Sequence, residues 1–568
     1  MTRLVSNGAV EEEQILKLCK EIVSSKDIFA ACFYGPRVYG CTDKKKGINA
    51  LIIIPNYSPK IRNFAKQVNN VNLSILAIDQ KAFESDIEHG KLGEFAAEII
   101  TVPYKPWKNP TYLKEMEVKM KKRFALELLK SIILQYPELS VELLIKPEYF
   151  MYEVIRRRVR LFPPFKYSVL DMFKGKTRKQ NVNSIMNGYL KALRELETEN
   201  YMAFSSGYIR IDKDFIEATK RQRTKISNIS ISIQKALLPY IQSISLKITT
   251  AFLQDQGFFA RSSDRRTGKK LLRELEETEK YLLMPTPLGT VPFSDKTNIQ
   301  DFVRKTVPGG EALKMTIEKM GGVLNSVFLL CLQKNHETQK IVVKKFEDWL
   351  GLKWFPLVLW TLGTQSFAVL GKTRLEREYS INRFLSKHDV AVPRILYVSL
   401  KERLIFEEYI EGEKLSEIVK RIITSSSKEG RIKNSEIIKA VGKEIAEIHS
   451  LGVALGDCKP ENILVSDDGE LCFLDLEQAT RNGNQPWDIA EFLYYSGHYI
   501  LPIHSGEPAR IIASSFVEGY LEAGGRRENI KKAASAKYTK VFSVFTLPHI
   551  ILIIANICKK MGEKRSNE

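Results

Sequence analysis

The stretch that decides the fold of the C-terminal half is Leu455–Ala479, which reads LGDCKPENILVSDDGELCFLDLEQA. Asp457, Lys459 and Asn462 follow one another closely, and Asp475 comes after the second of two short apolar runs. The turn residues SDDG between those runs predict a β-hairpin. We therefore expect an amine, an amide and two carboxylates to converge at one end of this hairpin.

This set of side chains suits phosphoryl transfer, which depends on positioning and on neutralising charge. Asp457 can accept or orient the proton of an acceptor hydroxyl, and Lys459 can reach the transferred phosphate. Asn462 and Asp475 offer oxygen ligands of the kind that Mg²⁺ prefers. An ordinary acidic hairpin is the alternative, and the D-x-K-P-x-N spacing argues against it.

The segment resembles the catalytic and metal-binding loops of the protein-kinase superfamily, and the resemblance extends over a domain at residues 311–568. It implies a two-lobed fold that uses ATP and Mg²⁺. It also implies that Asp457 and Lys459 are catalytic and that Asn462 and Asp475 bind the metal.

Two upstream segments extend this resemblance. IVVKKF resembles the strand that carries the phosphate-pairing Lys, assigned to Lys344 with Lys345 as the alternative. REYSINRFL resembles the helix whose Glu pairs with that Lys. There Glu378 is preferred to Glu376, because the neighbouring apolar residues place it on the core-facing side of a helix.

Two further segments resemble the parts of protein kinases that bind the nucleotide, one of them only weakly. LIFEEYIEG, at residues 404–412, resembles the hinge between lobes, where backbone groups around Glu408 and Tyr409 would bind adenine. MGGVLNSVF resembles a degenerate Gly-rich loop, in which Gly322 fits one of the glycines. We expect these segments to contact ATP.

Other departures narrow the resemblance. Leu455-Gly456-Asp457 lacks the Arg of the usual His-Arg-Asp, and Asp475-Leu476-Glu477 replaces Asp-Phe-Gly. Asp488 resembles the buried Asp that supports the catalytic loop. The segment from Asp475 to Asp488 is short and lacks an Ala-Pro-Glu signature. These features resemble RIO kinases, the atypical kinase of the tRNA-threonylcarbamoyl complex, and aminoglycoside or lipopolysaccharide kinases. They predict a RIO-like Ser/Thr kinase. The alternatives are a small-molecule kinase or a pseudokinase scaffold whose nucleic-acid binding is switched by ATP.

An apolar insert, residues 349–371, separates the Lys strand from the Glu helix. It is rich in Trp, Phe and Leu. Either it packs onto the N-terminal lobe, or it docks a partner or a membrane surface.

Residues 1–107 predict an α/β domain. FYGPRVYGCTDKKKGINALIII resembles the start of polymerase-β-type nucleotidyltransferases, but Pro36 replaces the motif Ser. Gly47 and Asn49 stand where two metal-binding Asp residues belong, and Asn72 takes the third place. Because neutral groups cannot hold two dications, the resemblance implies a catalytically dead domain. An unrelated α/β domain is the alternative.

Three further segments connect these domains. The sequence pattern predicts a helical basic extension at residues 108–164 and a winged-helix-like segment at residues 165–230. It predicts a helical connector at residues 231–310. Basic residues flank the winged-helix-like segment, so RNA, DNA or a ribonucleoprotein is a predicted partner. Protein contacts are the alternative.

Composition limits the remaining possibilities. The 568 residues include 87 Lys or Arg and 67 Asp or Glu, giving a formal net charge of +20. A hydrophobic content of 44% excludes a mainly disordered chain. The seven Cys form no C-x-x-C pair, so we expect reduced thiols and a cytoplasmic protein. No apolar run is long enough to predict a transmembrane segment.

Overall fold

A computed structural model divides the chain into two units, Met1–Leu283 and Met284–Glu568. The residues that it describes are 17, 21, 27–40, 47–68, 71–94, 97–161, 165–173, 176–222, 275, 277–306, 314–321, 326–334, 337–348, 364, 367–425, 427–502 and 506–563.

The first unit opens with a five-stranded sheet in the order β3-β4-β2-β1-β5. Its strands are β1 Ala30–Tyr34, β2 Ile48–Ile54, β3 Ile61–Val68, β4 Val71–Asp79 and β5 Tyr104–Lys108. β2 and β4 are parallel, whereas the other neighbours are antiparallel. β2 is a nearly continuous apolar run buried along most of its length, as expected for a central strand.

Helices dominate the rest of this unit. They are α1 Gln80–His89, α2 Pro110–Gln135, α3 Glu148–Leu161, α4 Phe165–Phe173 and α5 Arg178–Thr198. A short strand β6, Leu144–Ile145, pairs with the second strand of a hairpin formed by β7 Met202–Ser205 and β8 Tyr208–Ile211. Ser206 and Gly207 form its turn with φ angles of 49° and 82°, as a tight two-residue hairpin turn requires.

Residues 231–310 were expected to form a helical connector, but the described part of this segment contains two strands. β9 Leu282–Thr286 and β10 Gly289–Pro292 precede a single short helix, α6 Ile299–Thr306. Pro285, Pro287 and Pro292 lack the N–H that a helix interior needs, so the strand assignment prevails. The prediction of a wholly helical segment was therefore wrong for this part.

The second unit begins with an antiparallel five-stranded sheet in the order β11-β12-β13-β15-β14. Its strands are β11 Lys314–Gly321, β12 Ser326–Lys334, β13 Glu337–Lys345, β14 Ile395–Ser399 and β15 Leu404–Glu408. Helix α7, Gly371–Ser386, lies between β13 and β14 in the chain. Phe302 of α6 stacks on Phe406 of β15 with ring centroids 4.0 Å apart, which adds α6 to the core of this sheet.

A mainly helical region follows. Its helices are α8 Leu415–Thr424, α9 Lys428–Ser450, α10 Gln485–His498, α11 Glu507–Glu522, α12 Arg527–Ala533, α13 Ala536–Phe542 and α14 Pro548–Glu563. Its short strands are β16 Glu413–Lys414, β17 Val453–Ala454, β18 Ile463–Val465, β19 Leu471–Phe473 and β20 Thr480–Arg481. α9 and α11 cross at Gly442 and Gly519, where a Cβ on Gly519 would lie 1.9 Å from the Lys439 carbonyl oxygen. This close crossing fixes α9, which leads towards Leu455–Ala479.

The chain is therefore a mixed α/β multidomain protein whose second unit is consistent with a kinase-like fold. The nucleotidyltransferase-like and winged-helix-like assignments of the first unit stay predictions. In the part of the chain that is described, no helix combines the length and apolarity needed to cross a bilayer.

Candidate functional site

A buried ion pair joins the strand β13 to the helix α7. Lys344 Nζ lies 2.6 Å from Glu378 Oε1 and 3.3 Å from Glu407 Oε2, and all three side chains are buried. Burial alone would lower the pKa of Lys344, but Glu378 and Glu407 outweigh it and raise that pKa well above its usual value. The two carboxylates therefore favour the charged form of Lys344.

The alternative Lys and Glu residues face elsewhere. The Lys345 side chain is about half exposed and lies 3.8 Å from Glu347. Glu376 is buried, but its carboxylate lies 3.9 Å from Lys372. The structure thus brings together Lys344 and Glu378, the pair that the sequence favoured.

Asp475 follows β19 in a left-handed backbone conformation with φ 57°. Its Oδ1 atom is buried and has no hydrogen-bond partner. Burial raises the pKa of Asp475, although Lys344 acts in the opposite direction. A buried carboxylate oxygen without a partner fits a hard cation such as Mg²⁺.

The loop after β17 holds the other predicted residues. Lys459 Nζ lies 2.7 Å from Asp457 Oδ1. The Asn462 side-chain amide donates to the Asp457 carbonyl at 2.9 Å and to Asp457 Oδ2 at 3.1 Å. Both side-chain N–H donors of Asn462 therefore hold Asp457 in place. The side-chain carbonyl oxygen of Asn462 is the atom suited to a cation.

Asp488 on α10 holds the start of this loop through hydrogen bonds. Its carboxylate accepts backbone N–H groups from Leu455 at 2.6 Å and Gly456 at 2.8 Å. His449 Nε2 lies 3.0 Å from the same carboxylate, and Tyr520 lies on the other side of that imidazole at 2.8 Å. These contacts tie the loop before Asp457 to α9, α10 and α11.

Gly456 explains the absence of the Arg that most kinases carry at this position. Its φ is +75°, and a Cβ atom there would lie 2.5 Å from the backbone oxygen of Gln478. A side chain at this position would therefore be strained and would clash with the segment after Asp475. Gly456 therefore allows the two segments to approach each other closely.

The segment after Asp475 is tied to α7 and to the end of the insert. Arg374 Nη1 donates to both carboxylate oxygens of Glu477 at 3.2 Å, and both residues are buried. The side-chain amide of Gln478 accepts from Ala368 N at 2.8 Å and donates to Ala368 O at 3.3 Å. This short segment is thus held from two sides.

The predicted insert is described at Thr364 and from residue 367 onward, and the remainder of the insert lies outside the described residues. Asn484 donates to the Thr364 carbonyl at 2.8 Å, and the Phe367 ring contacts Trp487 edge-on with centroids 5.9 Å apart. The C-terminal end of the insert therefore contacts α10, and its last residue, Gly371, donates its N–H to Asp348 Oδ1 at 2.8 Å, just after β13.

The hinge residues lie at and just beyond the end of β15. The Glu408 carboxylate accepts from Arg394 N at 2.8 Å, and Lys340 lies 4.8 Å from the centroid of the Tyr409 ring. Their side chains thus have structural contacts, and the Glu408 N–H donates to the Arg394 carbonyl at 3.0 Å, so binding of adenine by this segment stays a prediction. Gly322 lies outside the described residues, so its predicted role stays a prediction.

Sequence reasoning missed two buried acids. Glu407 lies on the same face of its strand as Ile405, which pairs with Lys344, so a period of two could have placed it near Lys344. Glu491 accepts from Cys458 N at 2.8 Å and from Trp487 Nε1 at 2.9 Å. It lies three residues after Asp488, and that helical spacing was the available signal.

The N-terminal sheet shows no comparable site. Asn49 lies beside Ser74 in the parallel register of β2 and β4, and Asn72 lies two residues earlier on β4. Asp79 caps α1 by accepting from Ala82 N at 3.0 Å. Among the described residues, no cluster of three His, Cys, Asp or Glu side chains could hold a metal.

Comparisons with known proteins find one family match and two curated relatives. Residues 334–492 match the lipopolysaccharide kinase (Kdo/WaaP) family. The chain is 33% identical over 107 residues to the KEOPS complex subunit Bud32 of Pyrococcus abyssi, which is 19% of this chain and 45% of that protein. It is 25% identical over 143 residues to a probable serine/threonine-protein kinase BUD32 homolog of Archaeoglobus fulgidus, which is 25% of this chain and 64% of that protein. The chain thus spans less than two thirds of either relative, and the matches support a kinase-like phosphotransferase domain.

Proposed function

We propose that the second unit transfers a phosphoryl group from ATP to a hydroxyl group, and that the acceptor is a Ser or Thr side chain, as in RIO-like kinases. The observation that carries this proposal is the buried Lys344–Glu378 pair beside Asp475, whose Oδ1 has no partner. Asp475 is close enough to contribute to the raised pKa of Lys344.

Each side chain has a distinct task in the proposed reaction. Lys344 binds the non-transferred phosphates, and Glu378 holds its ammonium group in place. Asp457 orients the acceptor hydroxyl and receives its proton as the oxygen attacks the terminal phosphorus. The bond to the bridging oxygen breaks, ADP leaves, and Lys459 lies beside Asp457 to stabilise the phosphoryl charge. Asn462 and Asp475 would hold Mg²⁺, which supplies neutralisation of the phosphate oxygens.

A protein acceptor is supported by the probable serine/threonine-protein kinase among the relatives. A small-molecule acceptor is the second candidate, because the matching family phosphorylates lipopolysaccharide according to its description. A pseudokinase scaffold, in which ATP binding alone acts as the switch, is the third.

Labelled phosphate from Mg-ATP tests the proposal, with the chain itself, a basic protein and a sugar as acceptors. We expect transfer to protein, and Asp457→Asn should reduce it by about 10²–10⁴-fold. Asp467→Asn, in the exposed turn between β18 and β19, is the matched control and should transfer normally. Equal transfer by the Asp457 variant would refute the role of this site. ATP binding without transfer would favour the scaffold.

A further inference from the structure

Helix α5 presents one polar, basic face to solvent. The exposed residues on this face and just before the helix are Lys176, Lys179, Gln180, Asn183, Ser184, Asn187, Lys191 and Arg194. Their spacing of three or four residues places them on one side of the helix. The opposite side, which includes Ile185, Tyr189 and Leu193, is buried in the first unit.

This face carries no acidic residue. The sequence contains no Asp or Glu from residue 172 to residue 194. Lys176, Lys179, Lys191 and Arg194 form no ion pair with any described residue, so their charges are available to a ligand. Six of the exposed residues line an open groove of about 570 Å³.

The acids at the end of α5 are already engaged. Glu195 and Glu199 lie 3.2 Å and 2.5 Å from Lys122 Nζ on α2. Glu197 accepts from Phe204 N at 2.8 Å, which ties the helix to the β7–β8 hairpin. These carboxylates therefore stabilise the first unit and leave the groove positive.

Three Arg residues of a second basic cluster, at the end of α3, are paired within the first unit. Arg156 and Arg157 both bond to Glu153, at 2.6 Å and 3.0 Å. Arg158 is paired with Glu94 and lies 3.6 Å from Glu98. The Arg-rich end of α3 is thus part of the fold, so α5 is the better candidate for an anionic partner.

We propose that α5 binds double-stranded nucleic acid through this face, with the β7–β8 hairpin beside it. Free Lys and Arg side chains neutralise backbone phosphates, and release of counterions supplies the affinity. Gln180, Asn183 and Asn187 present amide groups of the kind that contact base edges. An α-helix fits a DNA major groove of about 12 Å, whereas the major groove of duplex RNA is too narrow for side-chain readout. The shared ligand chemistry is the phosphate backbone of a duplex.

The test uses the full chain and fluorescently labelled 20-base-pair duplexes of DNA and of RNA, titrated from 50 to 500 mM KCl. We expect affinity to fall steeply with salt, by roughly 10²-fold between 50 and 200 mM for the phosphate contacts that the four basic side chains can make. Lys179→Glu with Lys191→Glu should weaken binding at least tenfold and reduce the salt slope by about 2. Tighter binding of DNA would place α5 in the major groove, and equal binding of RNA would indicate backbone contacts alone.

The matched control reverses two exposed charges elsewhere in the first unit, Lys108→Glu with Lys119→Glu. It changes the net charge equally and should bind as tightly as the unmodified chain. Equal weakening by both double variants would overturn the proposal, as would the absence of duplex binding at 50 mM salt. Asp457→Asn should leave duplex binding unchanged, so failure of the proposed kinase activity and failure of this proposal are separable.

Discussion

Arg374 and Glu477 form a buried pair in which one guanidinium nitrogen lies 3.2 Å from both carboxylate oxygens. Arg374 lies one helical turn before Glu378, and Glu477 lies two residues after Asp475. The pair therefore links α7, whose Glu378 pairs with Lys344, to the segment that carries Asp475, the predicted metal ligand. We infer that it keeps both parts of the site assembled without a phosphorylated activation loop.

Breaking this pair should be costly. Glu477→Leu removes the carboxylate that faces the buried Arg374 charge, and the loss of one partner of a buried ion pair costs about 3–5 kcal/mol. Denaturant unfolding should show this drop, and the double variant Arg374→Met with Glu477→Leu should recover part of it. Arg421→Met removes the exposed contact with Glu413, 2.8 Å away, and should change stability little. A cost for Glu477→Leu as small as this control would contradict the inferred role.

Gly456 should reject any side chain. Gly456→Ala combines left-handed strain with a Cβ atom 2.5 Å from a backbone oxygen, so we expect a lower Tm and at least tenfold slower phosphoryl transfer. Gly469→Ala is matched, because its φ is +83° but no atom lies within 4 Å of the added Cβ. That control should cost about 1–2 kcal/mol from backbone strain alone. Equal effects at both glycines would mean that the approach to Gln478 is unimportant.

In the absence of metal, Asp475→Asn should stabilise the protein. The same variant should lose the stabilisation that Mg-ATP gives. Burial raises the pKa of Asp475, so the ionised carboxylate costs folding free energy at neutral pH. A folded pKa above the unfolded value means that this cost appears as pH rises and disappears as pH falls. Thermal unfolding in EDTA should therefore show a higher Tm for the variant at pH 8 than for the unmodified chain, and a smaller difference at pH 5.

The control for this prediction is Asp467→Asn, which removes an exposed carboxylate from the turn between β18 and β19. It should leave both the Tm and the stabilisation by Mg-ATP unchanged. A lower Tm for Asp475→Asn at pH 8 would show that attraction to Lys344 exceeds the cost of burial.

Gln478 should protect one backbone amide in the insert. Its side-chain oxygen accepts from Ala368 N at 2.8 Å, so Gln478→Ala removes the partner of that N–H group. Hydrogen exchange at Ala368 should accelerate about tenfold if the bond contributes about 1.4 kcal/mol. Asn484→Ala removes a donor to the Thr364 carbonyl instead and should leave the Ala368 exchange rate nearer its original value. Unchanged exchange in the Gln478 variant would show that another group protects Ala368.

Local spacing was enough to predict much of the candidate site. Asp457, Lys459 and Asn462 share one loop, and Asp475 follows the adjacent hairpin strand, so short-range geometry brings them together. Adjacent residues on a strand face opposite sides, and the structure places Lys344 beside Glu378 and leaves Lys345 about half exposed. The wholly helical connector failed because helical patterning was followed past prolines that end it.

Contacts between residues distant in sequence lay beyond such reasoning. Arg374 and Glu477 are about a hundred residues apart, and nothing local marks either as the partner of the other. The same holds for Arg158 of α3, whose charge looked available but is paired with Glu94.

The sequence by itself determined which chemical groups the chain carries, their spacing along each strand and helix, and the net positive charge. Tertiary structure decided which charges are buried in pairs, such as Lys344 with Glu378, and which stay exposed, such as Lys179 and Lys191. The physical reason is that periodicity fixes the direction of a side chain within its own element. Burial and pairing depend on the distance to other elements, and only the packed chain sets that distance.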